Sequence, residues 1–293
     1  MAAVSHVLRQ AAETAEMIKL QHTVFALPFA VIALVTAADP GWPGPRTWLW
    51  VLVAMVAART AAMTFNRLAD EAIDAENPRT RNRALPAGRL SRRFAVGVTV
   101  LSAAVFAVAA AALNRTCLLL SPVALAWVLG YSLTKRFTPL AHLWLGLGLG
   151  IAPVGAWLAV TGRIALPPLV LAAAVTFWVA GFDVIYSLQD EAFDRSRGLH
   201  SLPAALGAAR ALAVARVLHL LAVAGFAAFA SLAGGGPFRY AAVAAAAGLL
   251  VWQHRLVRPG DLSRVDAAFF SANGILALGM GLLFLFAKML PAS

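Results

Sequence analysis

The feature that most limits how this chain can fold is a series of long apolar runs separated by short polar segments. Nine runs have about 17 or more residues, enough to cross a hydrocarbon core of about 30 Å as helices. They lie near 20–38, 47–66, 95–113, 116–134, 141–161, 167–188, 210–232, 238–254 and 267–290. In lipid, backbone polar groups must be paired within a helix or a closed barrel, and no alternating pattern indicates a barrel. The sequence therefore predicts an all-α, polytopic membrane bundle of nine transmembrane helices.

Composition agrees with this prediction and leaves no space for a separate soluble domain. Of the 293 residues, 61% are hydrophobic and 13% are charged, whereas soluble domains have about 25% charged residues. Nine helices and their connections use the whole length, so we expect residues 1–293 to form a single integral membrane domain. The stretch 11–20, before the first run, is predicted to be a short amphipathic segment at the membrane surface.

The distribution of Lys and Arg predicts the orientation of the chain. Cytoplasmic loops of membrane proteins collect these residues. With alternating crossings, 17 of the 24 Lys and Arg fall on the side of the N-terminus and 5 on the other. The N-terminus is therefore predicted to be cytoplasmic. The formal net charge of +11 is interpreted in the same way, and no nucleic-acid partner is expected.

The few acidic residues are concentrated in two short segments at the ends of the second and sixth runs. Eight of the 13 Asp and Glu lie there: Asp70, Glu71, Asp74 and Glu76, and Asp183, Asp190, Glu191 and Asp194. At about 100° per residue, Asn66, Asp70 and Asp74 share one helix face. By the same arithmetic, Asp183, Asp190 and Asp194 share a face of the other helix. An even number of crossings separates the two segments, so both are predicted on the cytoplasmic side.

The two segments also resemble each other in sequence. Each has Asp-x-x-x-Asp and, further along the chain, Leu-Pro-Ala, at 85–87 in the first case and 202–204 in the second. This similarity predicts an internal pseudo-repeat, with motifs at 66–88 and 183–207.

Acidic rows beside arginines favour a metal-bound diphosphate. Mg²⁺ takes oxygen ligands and is commonly shared between one or two carboxylates and substrate phosphates. Lys135, Arg136 and seven arginines of loop 67–93 can bind phosphate oxygens. Those seven are Arg67, Arg79, Arg81, Arg83, Arg89, Arg92 and Arg93. For either cluster alone, a solvated rim of ion pairs is the simpler interpretation. Two matching rows, with Asp183 about two turns inside its run, favour the metal site.

Three motifs resemble those of a known family, the UbiA family of intramembrane prenyltransferases. Residues 66–88 look like its first aspartate motif, 183–194 are similar to its second, and 131–138 resemble its conserved segment after the fourth span. The likeness covers nearly the whole chain, and nine helices is also the architecture of the family. Residues 181–186 and 200–203 look most like the bacterial 4-hydroxybenzoate polyprenyltransferase-like branch, which implies a bacterial-type inner membrane.

The resemblance implies Mg²⁺-dependent transfer of a polyprenyl group from polyprenyl diphosphate to an aromatic acid such as 4-hydroxybenzoate, in ubiquinone or menaquinone biosynthesis. A dihydroxynaphthoate of a variant menaquinone pathway is an alternative acceptor. The positions matching metal ligands are Asn66, Asp70, Asp74, Asp190 and Asp194. The positions matching substrate-binding residues are Arg67, Arg79, Arg83, Lys135 and Arg136. Some members of the family have Asp where this chain has Arg67.

Three more residues are candidates for catalysis in such a reaction. Tyr131 and Tyr186 are candidates for flanking an allylic cation by cation–π contact, although each is equally well interpreted as an interfacial anchor. Asp183 is a candidate for orienting the aromatic hydroxyl or for removing the ring proton. The histidines show no paired metal spacing, and neither His22 nor His200 is expected to act directly in catalysis.

Two other functional classes remain as alternatives. A secondary transporter also has repeats and intramembrane acids, but it would place charges near the bilayer midplane on broken helices. A non-catalytic assembly factor would leave the paired Asp rows unexplained. The glycines at 146, 148 and 150 lie inside the fifth run, so they are interpreted as a site of close helix packing and not as a nucleotide loop.

Overall fold

The computed structural model describes Glu13 and residues 23–290, and the regular structure in this part of the chain is helical. In chain order the helices are α1 (Thr23–Ala37), α2 (Pro45–Glu76), α3 (Arg92–Leu113), α4 (Arg115–Thr134), α5 (Ala141–Thr161), α6 (Leu166–Ser187), α7 (Glu191–Ser196), α8 (Leu202–Leu206), α9 (Ala208–Leu232), α10 (Pro237–Leu256) and α11 (Ala272–Met289). A 3₁₀ turn, Leu188–Asp190, precedes α7, and a π-helical turn, Ala267–Ser271, precedes α11. His22 and, apart from Glu13, the predicted surface segment 11–20 lie outside the described residues.

The all-helical membrane fold is confirmed. Within the described residues, 7 helical segments are long and apolar enough to span a membrane. They are α2 to α5, α6 together with α7, α9, and α11 with its π turn. Helix α1 has only 15 described residues, and α10 is less apolar because it carries Arg239, Gln253 and His254. Helices thus occupy the positions of the predicted runs, while the number of nine crossings stays a prediction.

Helix α2 is longer than the second apolar run. It has 32 residues and ends at Glu76, so Asn66, Asp70 and Asp74 lie on a helix, as their spacing predicted, beyond the end of the apolar run at 66. At about 1.5 Å per residue, the helix is about 48 Å long and exceeds the hydrocarbon core. Residues 66–76 include three Ala and two Glu, which favour a helix. Asn77 and Pro78 come next, and proline cannot extend the hydrogen-bond ladder.

The second acidic segment does not form one continuous α-helix. Helix α6 ends at Ser187, where the N–H of Leu188 bonds to the carbonyl of Ile185 and begins the 3₁₀ turn. A 3₁₀ turn has about three residues per turn, so the α-helical register is lost between 188 and 190. The prediction of a single α-helix over 183–194 is therefore wrong, although Asp183 and Asp194 both interact with His142. The change occurs where the predicted apolar run ends.

The chain divides into two compact units, each with one of the acidic segments. Among the described residues, the first comprises Glu13, Thr23 and Leu49–Leu133, and the second comprises Val24–Trp48 and residues 134–290. In the first unit, an apolar cluster joins the end of α2 to the following loop and to the start of α3. Its buried members are Leu68, Ala84, Leu85, Leu90 and Ala95. This cluster folds the loop back toward the acidic end of α2.

In the second unit, α6 is the central helix and packs most extensively against α5 and α9. A Cβ atom at Gly146 would lie 2.2 Å from the carbonyl oxygen of Thr176. A Cβ atom at Gly150 would lie 2.7 Å from the carbonyl oxygen of Ala172. The backbones of α5 and α6 approach closely only because these positions lack side chains, so the packing interpretation is confirmed for both glycines.

A buried polar network joins α6 to the C-terminal helices. The indole N–H of Trp178 donates to Asn273 Oδ1 over 2.9 Å. The π-helical turn leaves carbonyl groups without their usual helical partners, and side chains supply the donors. The amide of Asn273 donates to the carbonyl of Phe269 over 2.8 Å, and that of Gln253 donates to the carbonyl of Ala268 over 2.7 Å. The network fixes the helix that carries the second acidic segment.

Candidate active site

The first acidic segment is built on the last turns of α2. The amide of Asn66 donates to Asp70 Oδ2 over 3.1 Å, as residues four apart on one helix face can do. Asp70 and Asp74 are only 3% and 4% exposed. Buried carboxylates are stable only when they are paired or bind a cation. These side chains therefore present oxygen atoms that require positively charged partners.

Asp74 has two guanidinium partners. Arg83 Nη1 lies 2.7 Å from both carboxylate oxygens, and Arg67 Nη1 lies 3.5 Å from Oδ2. The hydroxyl of Thr80 donates to the backbone carbonyl of Asp74 over 3.1 Å, which fixes the loop against the helix. Tyr131 lies near enough to Arg67 for an electrostatic interaction. The structure thus gathers four of the predicted residues: Arg67, Asp74, Arg83 and Tyr131.

Other arginines of the predicted basic loop are less enclosed. Arg92 forms an ion pair with Glu71 over 2.5 Å, and Arg89 forms one with Glu13 over 2.9 Å. Arg79 is exposed, and its backbone N–H donates to Asn77 Oδ1 over 2.9 Å. Exposed ion pairs contribute little to stability. The arginines bound to Asp74 therefore differ in environment from those of the loop surface.

In the second unit, Asp183 has a partner that the sequence did not reveal. Its Oδ2 lies 2.7 Å from Nδ1 of His142, at the start of α5. The other ring nitrogen, Nε2, accepts a hydrogen bond from the backbone N–H of Leu202 over 3.3 Å. His142 is 4% exposed. In the sequence, His142 is a single histidine at the predicted cytoplasmic end of an apolar run, and its role was not predicted.

Asp194, also buried, is held by the segment that precedes α8. The hydroxyl of Ser201 is hydrogen-bonded to the Asp194 side chain, and the charge of Lys135 acts on the same carboxylate. The backbone N–H of Leu199 donates to the carbonyl of Asp194 over 2.9 Å. The backbone N–H of His200 donates to the carbonyl of Lys135 over 2.7 Å. Residues 199–202 therefore contact two of the predicted site residues.

The other predicted site residues of this unit are Asp190, Arg136 and Tyr186. The charge of Asp190 acts on Asp194, while Arg136 is exposed. The ring of Tyr186 packs against Phe269 with centroids 4.1 Å apart. Tyr186 is therefore fixed by aromatic packing at the end of α6.

The donor types fit a hard cation whose coordination is completed by phosphate. Within Glu13 and residues 23–290, no three His, Cys, Asp or Glu side chains form a group that could hold a metal ion. Mg²⁺ at phosphate sites needs only one or two carboxylates, because water and the substrate supply the other ligands. Asn66 with Asp70 in one unit, and Asp194 in the other, provide oxygen donors of this class.

Comparison with known proteins gives matches over most of the chain. A model of the UbiA prenyltransferase family matches residues 26–275. The 4-hydroxybenzoate octaprenyltransferase of Nitrosomonas europaea is 32% identical over 244 residues, covering 82% of this chain and 81% of that protein. The enzyme of the same name from Nitrosospira multiformis is 30% identical over 238 residues, covering 81% and 82%.

Solved structures have the same fold. The apo structure of a UbiA homologue from Aeropyrum pernix K1 matches with a TM-score of 0.83 and 36% identity, covering 92% of this chain and 98% of the homologue. A UbiA homologue from Archaeoglobus fulgidus, bound to GPP and Mg²⁺, matches with a TM-score of 0.71 and 17% identity, covering 94% and 99%. The family match includes both acidic motifs and segment 131–138. The chain therefore belongs to the UbiA prenyltransferase family.

Proposed function

We propose that this protein transfers a polyprenyl group from polyprenyl diphosphate to the ring of 4-hydroxybenzoate or a similar aromatic acid, with Mg²⁺ bound. The observation that carries the proposal is the buried Asp74, held by Arg67 and Arg83 beside the hydrogen-bonded pair Asn66 and Asp70. Guanidinium groups and carboxylates together are what a metal-bound diphosphate requires. Relatives named 4-hydroxybenzoate octaprenyltransferase support the acceptor. The Archaeoglobus homologue with GPP and Mg²⁺ supports the donor class and the metal.

The metal and diphosphate are assigned to the acidic segments. We assign Asn66, Asp70, Asp74, Asp190 and Asp194 to Mg²⁺. When bound, the metal supplies positive charge that stabilises the diphosphate leaving group. We assign Arg67, Arg79, Arg83, Lys135 and Arg136 to the diphosphate and to the carboxylate of the acceptor. The guanidinium groups on Asp74 are already oriented, so they can stabilise the leaving group with little rearrangement.

The acceptor reacts through its ring. The allylic C–O bond breaks, and the diphosphate leaves with the bonding electrons. A ring carbon ortho to the hydroxyl attacks the allylic carbon, and the ring proton then passes to a base. We assign Asp183 to the aromatic hydroxyl or to this proton, and Tyr131 and Tyr186 to the flanks of the developing cation.

The proposed setting is quinone biosynthesis in a bacterial inner membrane, with the reaction on the cytoplasmic face. The excess of Lys and Arg in alternate loops supports this orientation. A dihydroxynaphthoate acceptor would use the same residues. Membership of a prenyltransferase family and the contact of Asp74 with arginines favour this function over a secondary transporter.

The test is product formation by the purified protein in lipid nanodiscs. Geranyl diphosphate and longer donors are supplied with 4-hydroxybenzoate or with a dihydroxynaphthoate, with Mg²⁺ or with EDTA, and products are identified by mass. We expect prenylated 4-hydroxybenzoate and diphosphate in equal amounts, with EDTA abolishing both. If product formed only with the dihydroxynaphthoate, that compound would be the acceptor. No prenylated product from either acid would refute the proposed function.

A further inference from the structure

His142 has one hydrogen-bond arrangement that satisfies both of its neighbours. The backbone N–H of Leu202 can only donate, so Nε2 of His142 accepts and carries no proton. The proton of the neutral ring is therefore on Nδ1, where it is donated to Asp183 Oδ2 over 2.7 Å. A doubly protonated ring would direct a second N–H against that of Leu202. The arrangement thus assigns a neutral imidazole that donates to a carboxylate.

This arrangement leaves one oxygen of Asp183 available. Within the described residues, His142 is the hydrogen-bond partner of Oδ2, and Oδ1 has none. The Asp183 side chain is 18% exposed, whereas that of His142 is 5% exposed. A carboxylate held at one oxygen loses its rotational freedom and presents the other in a fixed direction. Oδ1 is then suited to accept a hydrogen bond from a phenolic hydroxyl.

Leu202 connects the pair of His142 and Asp183 to residues 199–202, which also contact Asp194 and Lys135. It is the first residue of α8, so its N–H has no partner within that helix and is free to bind the histidine. The same segment, residues 199–202, binds Asp194 through Ser201 and the backbone carbonyl of Lys135 through His200. The imidazole therefore connects the acceptor-orienting carboxylate to the segment that holds the proposed metal ligand.

We infer that His142 is a positioning residue for the aromatic acceptor: it holds Asp183 so that Oδ1 binds the acceptor hydroxyl and aims the ortho carbon at the allylic carbon. The inference rests on the proposed function. It assigns the two substrates to different contacts, because the diphosphate does not need the imidazole. Loss of His142 will therefore weaken acceptor binding and leave the donor contacts largely unchanged.

Two amide variants separate the two hydrogen bonds of the ring. In His142→Asn, the side-chain amide nitrogen lies where Nδ1 lies in histidine and can still donate to Asp183. In His142→Gln, the amide reaches the position of Nε2 and can bind Leu202 but not Asp183. His142→Ala removes both bonds. All three lack the imidazole, so a difference between Asn and Gln reports which bond matters.

The experiment measures KM for 4-hydroxybenzoate and for geranyl diphosphate, with thermal unfolding of each variant in detergent. For His142→Ala we expect KM for the acceptor to rise about tenfold or more, as for a lost hydrogen bond to a charged group, and KM for the donor to change less than about twofold. In His142→Asn, KM for the acceptor should be close to the wild-type value. In His142→Gln, it should stay as high as in His142→Ala.

Four results would overturn the inference. Recovery by His142→Gln and not by His142→Asn would show that His142 acts only by holding residues 199–202. An equal rise of both KM values would show a general structural role. Wild-type protein that prenylates no aromatic acid would refute the proposed function together with this inference, whereas prenylation with unchanged KM in His142→Ala would refute the inference alone.

Discussion

The two acidic segments differ in how their most enclosed carboxylates are held: Asp74 of the first is bound by guanidinium groups, whereas Asp183 and Asp194 of the second are bound by an imidazole and a hydroxyl group. Asp74 is bound by Arg83 over 2.7 Å and by Arg67 over 3.5 Å. Asp183 is bound by the neutral ring of His142, and Asp194 by the hydroxyl of Ser201. Asp74 is therefore neutralised by direct guanidinium contacts, whereas Asp194 is bound by a hydroxyl group and the charge of Lys135 acts on it. We expect the first to bind diphosphate mainly through its arginines and the second to contribute more to metal affinity.

Among the variants that test this comparison, Arg83→Ala in the first segment is expected to have the largest effect on activity. The change removes the shorter of the two guanidinium contacts of a buried carboxylate, which we expect to cost about 2 kcal/mol or more of stability. It also removes a positive charge that would stabilise the diphosphate leaving group. The value of kcat/KM for the prenyl diphosphate should therefore fall about 100-fold. Steady-state kinetics and thermal unfolding measure the two effects.

Arg92→Ala is the matched control in the same part of the chain. Arg92 is paired with Glu71 at the surface, and this pair should contribute less than about 1 kcal/mol. If Arg83→Ala and Arg92→Ala reduced kcat/KM for the donor equally, the special role of the guanidinium groups on Asp74 would be disproved.

A change confined to the second unit is Gly146→Ala. The added methyl group would meet the carbonyl oxygen of Thr176, forcing α5 away from α6 at a cost of about 1–3 kcal/mol. His142 lies four residues earlier on α5, so KM for the acceptor should rise while KM for the donor changes little. Gly155→Ala is the control, because a Cβ atom there would meet nothing within 4 Å. A donor-specific effect of Gly146→Ala would contradict the division of roles between the units.

The smallest expected effect is that of Ser201→Ala. The hydroxyl binds the side chain of Asp194 and also accepts from the backbone N–H of Ala204 as the N-cap of α8. Loss of the cap should cost about 1 kcal/mol. Loss of the hydrogen bond to Asp194, a proposed metal ligand, should raise the Mg²⁺ concentration for half-maximal activity about tenfold. The readout is a Mg²⁺ titration of turnover.

Ser91→Ala controls for the loss of an N-cap alone, since Ser91 caps α3 through the backbone N–H of Phe94. Both variants should lose similar stability, but only Ser201→Ala should need more Mg²⁺. An equal shift of the Mg²⁺ requirement in both variants would remove Asp194 from the metal site.

Features that depend on local periodicity were predictable from the sequence. The apolar runs predicted the helices, and the glycines at 146 and 150 predicted close packing. The i, i+4 spacing predicted that Asn66 and Asp70 share a helix face, and the two are hydrogen-bonded. The resemblance to the UbiA family, based on ordered motifs with consistent spacing, is confirmed by the match over residues 26–275.

Features that depend on contacts between distant parts of the chain were not predictable. His142 and Asp183 are 41 residues apart, and a single histidine in a sequence does not reveal its partner. The fold-back that brings Arg83 onto Asp74 depends on the apolar cluster around Leu85. The 3₁₀ turn at 188–190 was missed because helical periodicity assumes a constant register.

The central claim is that carboxylates of both acidic segments serve a single Mg²⁺-dependent transfer. The most direct measurement is diphosphate release and product mass for Asp70→Ala and Asp190→Ala, with the exposed loop variant Asp261→Ala as control. We expect each of the first two to lose at least about 100-fold in turnover at saturating Mg²⁺, and Asp261→Ala to match the wild type. Full turnover in either Asp70→Ala or Asp190→Ala would contradict the assignment of that segment to the reaction.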